Sequence, residues 1–324
     1  MSTALATTVS DAHVTMAQNS KSFALAARVF TPATRDAAAV VYAYCRYVDD
    51  AIDSVTGPAQ QVALAGLRTE LAQVYAGNAD ARLAPLAQVV QTYNIPVHYF
   101  SELLRGMQLD TDGQRYRTTA DLVDYCYCVA SVVGLIMCHI MGVRRTTVVA
   151  EQLTLARAAH LGIAMQLTNI CRDVLEDHQR SRCYLPDDLL LAHNVDAQRM
   201  HATAALQPAD AQQLRPVVAA LLQLADRYYR SGQRGTLALP LRSAFAVRAA
   251  RRIYAAIGTQ LAAMHYDVLA GRAVVSKARK LGHVAIAAMQ TAAELPQRFW
   301  YWIRRQGFAA PTQQLEAANV TQPK

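Results

Sequence analysis

Glycine and proline are scarce in this chain, 14 and 11 of 324 residues, and aromatic side chains make up only 7%. Few positions therefore force a helix to break, and no stretch alternates apolar and polar residues over several strand lengths, so a sheet is not expected. The six cysteines, Cys45, Cys126, Cys128, Cys138, Cys171 and Cys183, include no CxxC pair, which argues against a zinc cage or a disulfide framework. The nine histidines show no HExxH spacing. Neither a GxGxxG turn after a strand nor a GxxxxGKS/T loop is present, so the usual nucleotide signatures are missing. The start, MSTALATTVSDAH, has no positive region followed by an apolar core; no secretory signal is expected, and synthesis should leave the protein in the cytoplasm. Without a long linker, a composition shift or an internal repeat, residues 1–324 read as a single all-α domain with a core over about 14–295 and polar ends.

What the chain does have is alanine, leucine and 53% hydrophobic residues, enough to bury a large core. Apolar residues at helical spacing predict helices over roughly 14–30, 34–54, 60–76, 83–93, 97–108, 119–142, 148–177, 211–230, 240–270 and 276–295. Short breaks separate them, at Gly57-Pro58, at GNADARLAP over 77–85, at Thr111-Asp-Gly113, at Leu185-Pro186-Asp187 and near Gln207-Pro208. Residues 125–143, YCYCVASVVGLIMCHIMGV, are free of formal charge and just long enough to imitate a membrane span. A buried core helix also reads apolar all round, and Tyr125, Tyr127, Ser131 and His139 would be awkward in lipid, so burial beside an apolar pocket is expected.

The formal charge of +8 attracts anions. No RNP, zinc-finger or basic-zipper pattern accompanies it, so nucleic acid is not the expected partner; diphosphates and anionic lipid surfaces remain. The segment QRFWYWIRRQGF sets Trp300 and Trp302 between Arg298 and Arg304-Arg305. Aromatics among cations suit a peripheral membrane contact, and equally a C-terminal helix docked on the core.

Two acidic ladders about 120 residues apart carry the most information: Asp49 and Asp53 in YVDDAID, and Asn169, Asp173 and Asp177 in QLTNICRDVLED. A four-residue step on an α-helix turns about 400°, so each ladder keeps its oxygens on one face. Like charges at this spacing weaken a helix, and no Lys or Arg stands four residues from Asp49 or Asp53 to relieve them. A solvated acidic face is one reading; a site where hard divalent cations bridge carboxylates to phosphates is the other. Arg46, on nearly the same face as Asp49, and Arg172, beside Asp173 and projecting about 100° from it, suit phosphate oxygens or simple intrahelical ion pairs. Gln166 and Glu176 extend the second polar stripe.

Taken in order, SKSFALAARVF at 20–30, YAYCRYVDDAID at 42–53, YCYCVASVVGL at 125–135, QLTNICRDVLEDHQRSRCYLP at 166–186 and YYRSGQRGTLALPLRSAFAVRAARRIYAAIG at 228–258 resemble the squalene/phytoene synthase family, most of all its bacterial phytoene synthases. The resemblance implies an isoprenoid-synthase helical bundle around a central cavity. Metal ligands would be Asp49, Asp53, Asn169, Asp173 and Asp177, holding Mg²⁺ or Mn²⁺. Arg46, Arg172, Ser20, Lys21 and Ser22 would hold diphosphate oxygens, Tyr125, Gln166 and Tyr184 match polar site positions, and Tyr42 and Tyr254 would line the site. The implied activity joins two geranylgeranyl diphosphates head to head, through prephytoene diphosphate, to phytoene, an early step of carotenoid biosynthesis, without NADPH. Downstream carotenoid enzymes are conceivable partners.

An apolar wall must keep water from the allylic cation, with Val129, Val133, Leu135, Ile136 and Met137 as candidates. Tyr125 is a candidate to orient diphosphate or assist proton transfer; a core hydroxyl bonded across helices is its alternative. Two departures from the family stand out. Ala130-Ser-Val-Val-Gly134 replaces the common AGTVG, so Ser131 is expected to narrow the site, and Gly271-Arg272 stands where paired arginines are common, leaving Arg272 as the match. The alternatives are squalene, dehydrosqualene or presqualene diphosphate formation from farnesyl diphosphate, and an inactive scaffold of the same fold.

Overall fold

The computed structural model describes residues 8–144, 147–202, 205–303, 307–312, 315 and 322, and the side chains of Lys21, Ser22 and Trp302 fall outside that description, as do Arg304 and Arg305. The chain is all-α. Its axis is a 32-residue helix, Val148–Gln179, along which the 28-residue helix Pro208–Gly235 packs. Thr147 starts the first of these, its hydroxyl accepting from the Ala150 amide at 3.4 Å. Around the pair stand Pro32–Asp53, Pro58–Ala76, Val97–Thr111, Leu241–Ala263 and Lys277–Ala292, close to the periods read from sequence.

Two boundaries differ markedly from expectation, and three short helices were not expected, each for a local reason. The helix expected over 14–30 is two helices, Val9–Asn19 and Lys21–Ala27, because Ser20 leaves helical backbone at φ −144° and caps the second with its own hydroxyl. The helix expected to 270 stops at Ala263, where His265 and Tyr266 take positive φ. Short helices at Asp187–Ala192, Ala197–Ala202 and Leu295–Ile303 were too brief or too irregular to show a period. Two residues on each side, Val143–Arg144 and Phe308–Ala309, form a small antiparallel ladder, the one strand pairing among the described residues.

The apolar run lies inside the bundle. Thr119–Met141 could span a membrane by length and composition, yet 67% of its most apolar stretch is buried, and its polar groups have interior partners. Ser131 donates to the Ala159 carbonyl at 2.7 Å, and the His139 ring lies 3.2 Å from the Tyr93 carbonyl oxygen. Between Tyr127 and Ser131 this helix is π-helical. The wider turn inserts about one residue, so the face before it is rotated by roughly 100° relative to the face after it.

The close crossing of this helix over Val148–Gln179 depends on glycine. A Cβ added at Gly162 would stand 2.5 Å from the Ser131 Cα, so only glycine lets the two backbones meet there. All six cysteines are free thiols. At the other end of the chain, Leu295, Phe299, Trp300 and Ile303 expose an apolar edge of the last helix, while the Arg144 guanidinium stacks 3.7 Å over the Tyr301 ring on its inner side.

Candidate active site

Pro32–Asp53 and Val148–Gln179 carry the two ladders, and both line one cavity of about 370 Å³. Its polar end is built by Tyr42, Gln166, Asn169 and Tyr254; the rest is walled by small and apolar side chains. Val129, Val133 and Met137 line it as expected. Leu135 and Ile136 do not: they are wholly buried in the packing on the other face of their helix. Ser131 does not narrow the cavity either, because its hydroxyl is turned to the Ala159 carbonyl on the neighbouring helix. Val132 is likewise fully buried in the core.

On the first ladder, Arg46 donates to Asp49 at 3.1 Å and pairs with Asp50, whose other oxygen has no partner among the described residues. Burial raises Asp49 above the usual carboxylate range, and Asp53 beside it adds to the shift. On the second ladder Arg172 folds back onto Asp173, with Nε 2.7 Å from the carboxylate, instead of projecting away. Its flexible stem spans the angle between adjacent helix positions. Arg272 reaches Asp173 at 3.1 Å and Glu176 at 3.2 Å on the second ladder. Burial, with Asp173 next to it, raises Asp177 to about 7.

Tyr42 and Tyr254 face each other through Phe23, whose ring lies 6.1 Å from one and 5.9 Å from the other. Burial pushes Tyr42 up to about 12, so both phenols stay protonated. Ser20 caps the Lys21–Ala27 helix, accepting from the Phe23 amide at 3.3 Å, and so sets where that ring enters the cavity. Lys21 and Ser22 themselves lie outside the described side chains.

Tyr125 and Tyr184 stand apart from the cavity wall. The two rings stack at 5.1 Å, and their hydroxyls donate to the same carboxyl, Asp110, at 3.0 and 2.8 Å. Burial raises Tyr125 well above the ordinary phenol range, and Asp110 adds to the rise, so it serves as a hydrogen-bond donor and not as a base. Burial lifts Asp110 to about 6 despite the two tyrosines and the nearby positive charge of Arg182.

Three of these residues escaped sequence reading. Asp110 sits in MQLDTDG, before a turn, with no periodic partner to mark it. Asp50 was hidden by its neighbour Asp49. Arg182 begins RCYLP and carried a signal of motif only; the fold brings its guanidinium 2.7 Å from Asp53.

Whether divalent metal fits is answered by the donor set. Asp49, Asp53, Asn169, Asp173 and Asp177 offer hard oxygens, and the buried Asn169 Oδ1 has no hydrogen-bond partner among the described residues, its amide nitrogen donating to Gln166 at 3.3 Å. No three His, Cys, Asp or Glu side chains among the described residues form a ready-made cage. Mg²⁺ takes such oxygen ligands, keeps several waters and joins one or two carboxylates to substrate phosphates.

Comparison with known proteins places this arrangement. The family model for squalene/phytoene synthase matches residues 16–279. A 15-cis-phytoene synthase of Paracoccus sp. is 36% identical over 85% of this chain and 89% of its own. A phytoene synthase of Rhodobacter capsulatus is 38% identical over 85% and 79% respectively. A solved dehydrosqualene synthase with bound ligand superposes with a TM-score of 0.76 at 26% identity, covering 88% of this chain and 96% of that one. Fold, motif order and sequence likeness agree, and the chain belongs to the squalene/phytoene synthase family.

Proposed function

We propose that this prenyltransferase condenses two molecules of geranylgeranyl diphosphate head to head, through prephytoene diphosphate, to phytoene. The observation that carries the reading is the cavity, largely apolar along its length, with Asn169 of the second ladder at its polar end and Tyr42 and Cys45, on the helix that carries Asp49 and Asp53, beside it. Its relatives named phytoene synthase support the twenty-carbon substrate.

In this reading Asp49, Asp53, Asn169, Asp173 and Asp177 hold Mg²⁺, which when bound supplies the positive charge a departing diphosphate needs. Arg46, Arg172 and Arg272, now paired with ladder carboxylates, exchange those partners for diphosphate oxygens. Val129, Val133 and Met137 keep water from the allylic cation. A double bond of the second substrate attacks that cation, a proton leaves as the cyclopropane closes, and a second ionisation, rearrangement and proton loss give phytoene with no reductant. Because burial holds Tyr125 protonated, the released diphosphate takes the proton, and Tyr125 with Tyr184 fixes Asp110 beside the acidic centre. The exposed edge of Leu295, Phe299, Trp300 and Ile303 rests on the membrane surface that holds the lipid product.

The test is to incubate purified protein and Mg²⁺, without NADPH, with geranylgeranyl or farnesyl diphosphate separately and to identify the hydrocarbon. Phytoene is expected. A thirty-carbon product alone would transfer the protein to the squalene and dehydrosqualene branch that its structural neighbour represents; no product from folded protein would leave a scaffold role.

A further inference from the structure

The cavity has a definite far end. Along Val148–Gln179 its lining residues run from Asn169 back through Gln166, Gly162 and Ala158 to Thr154, a distance of about 22 Å at the rise of an α-helix. The neighbouring helix runs antiparallel and contributes Met141, its last residue, at that same end. Across from them lie Thr236 and Leu239, in the turn between Pro208–Gly235 and Leu241–Ala263. An alkyl chain whose diphosphate sits by Asn169 points its tail at this turn.

Three arginines from three separate elements grip it. Arg298 donates to the Leu239 carbonyl at 2.7 Å and to the Thr236 carbonyl at 3.2 Å. Arg248, almost fully buried, donates to the Thr236 hydroxyl at 2.7 Å through Nη2 and 3.0 Å through Nε, and Arg144 donates to the Leu237 carbonyl at 2.6 Å. Glu294 receives both Arg248 and Arg298, so one carboxylate offsets part of the positive charge gathered there. The grip is costly to build, since buried guanidinium groups lose their water, and a short surface turn would not need it. A turn that must resist the pressure of a substrate tail would.

We propose that Leu239 sets the depth of the cavity and so the length of prenyl chain accepted, and that Arg248 and Arg298 are positioning residues that hold it there. The inference rests on the prenyl diphosphate reading of the site. It also gives the last helix a role in specificity, because Arg298 belongs to Leu295–Ile303, remote in sequence from the ladders.

The test compares kcat/KM of the full chain on farnesyl, geranylgeranyl and geranylfarnesyl diphosphate. Leu239→Phe should move preference toward the fifteen-carbon substrate and Leu239→Ala toward the twenty-five-carbon one, each by about tenfold in the ratio. Arg298→Lys, which can reach one carbonyl but not both, should blur the ratio; a purely structural role would lower the melting temperature and all three rates alike. Unchanged ratios in folded Leu239 variants would overturn the proposal while the parent's phytoene still upheld the function. If the parent turns over none of the three, the function fails instead, and depth is then judged by binding of the unreactive thiolodiphosphates of the same chain lengths. Equal affinity across them, or no binding, would overturn it.

Discussion

The guanidinium of Arg182 lies 2.7 Å from the carboxylate of Asp53, a contact across 129 residues of sequence. Its charge also lowers the cost of ionising Asp49, Asp110 and Asp177, so one side chain serves both ladders. Arg180, 4.0 Å from the same carboxylate, adds a second positive charge there.

Arg182→Gln should therefore destabilise the metal-free protein by about 1 kcal/mol, since the pair is partly exposed, and enlarge the stabilisation gained from Mg²⁺ with inorganic diphosphate. Chemical denaturation with and without those ligands measures both. An equal ligand effect in parent and variant would mean that Arg182 does not stand in for metal.

Asp110 should give the metal-free protein a distinctive pH dependence. Its folded value of about 6 lies above the unfolded carboxylate value, so the folded state binds the proton more tightly. The contribution is fully present below about pH 4 and is lost as pH rises through about 6, on the order of 2–3 kcal/mol in all. Asp110→Asn, which mimics the protonated group, should flatten this slope in urea melts between pH 4.5 and 8; an unaltered slope would refute the assignment.

Asp49→Asn and Asp173→Asn should each cut hydrocarbon formation by about 10²-fold or more while circular dichroism keeps its helical signature. The carboxylates pair with Arg46 and Arg172 and take no part in the apolar core. Turnover near the parental rate in either variant would remove that ladder from the reaction.

Gly162→Ala should cost about 1–3 kcal/mol, because its methyl group would collide with the Ser131 backbone. Ser131→Ala should cost about 1 kcal/mol for the lost bond to Ala159 and leave product chain length unchanged. A change of product in Ser131→Ala would show that this side chain reaches the substrate after all.

Replacing Trp300 and Trp302 together by alanine should weaken association with anionic vesicles and leave activity in detergent intact. Flotation assays decide; equal binding by variant and parent would show that the exposed edge serves another contact.

The reading of sequence and the structure part company at identifiable places. Helix class and the long periods were legible because a 3.6-residue repeat of apolar side chains is a local property, visible in Pro32–Asp53 or Val97–Thr111 without knowledge of their neighbours. The ladders were legible for the same reason. Asp110 was not, since one acid before a turn has no repeat to reveal it, and its value comes from Tyr125 and Tyr184 on other segments. Sequence position puts Ser131 and Leu135 on the cavity wall, but which face of an all-apolar helix looks inward depends on what packs around it.

By itself the sequence determined an all-α chain with two acidic ladders and the motif order of a prenyl-coupling family, because periodicity, composition and motif order are written along one dimension. Only the tertiary structure decided that Tyr125 and Tyr184 meet on Asp110, that Arg182 neutralises Asp53 from 129 residues away, and that Arg144, Arg248 and Arg298 converge on the turn of Thr236–Leu239. Each of these depends on distances between segments that fold together, and a hydrogen bond or an ion pair is decided within a few ångströms of space, whatever the separation along the chain.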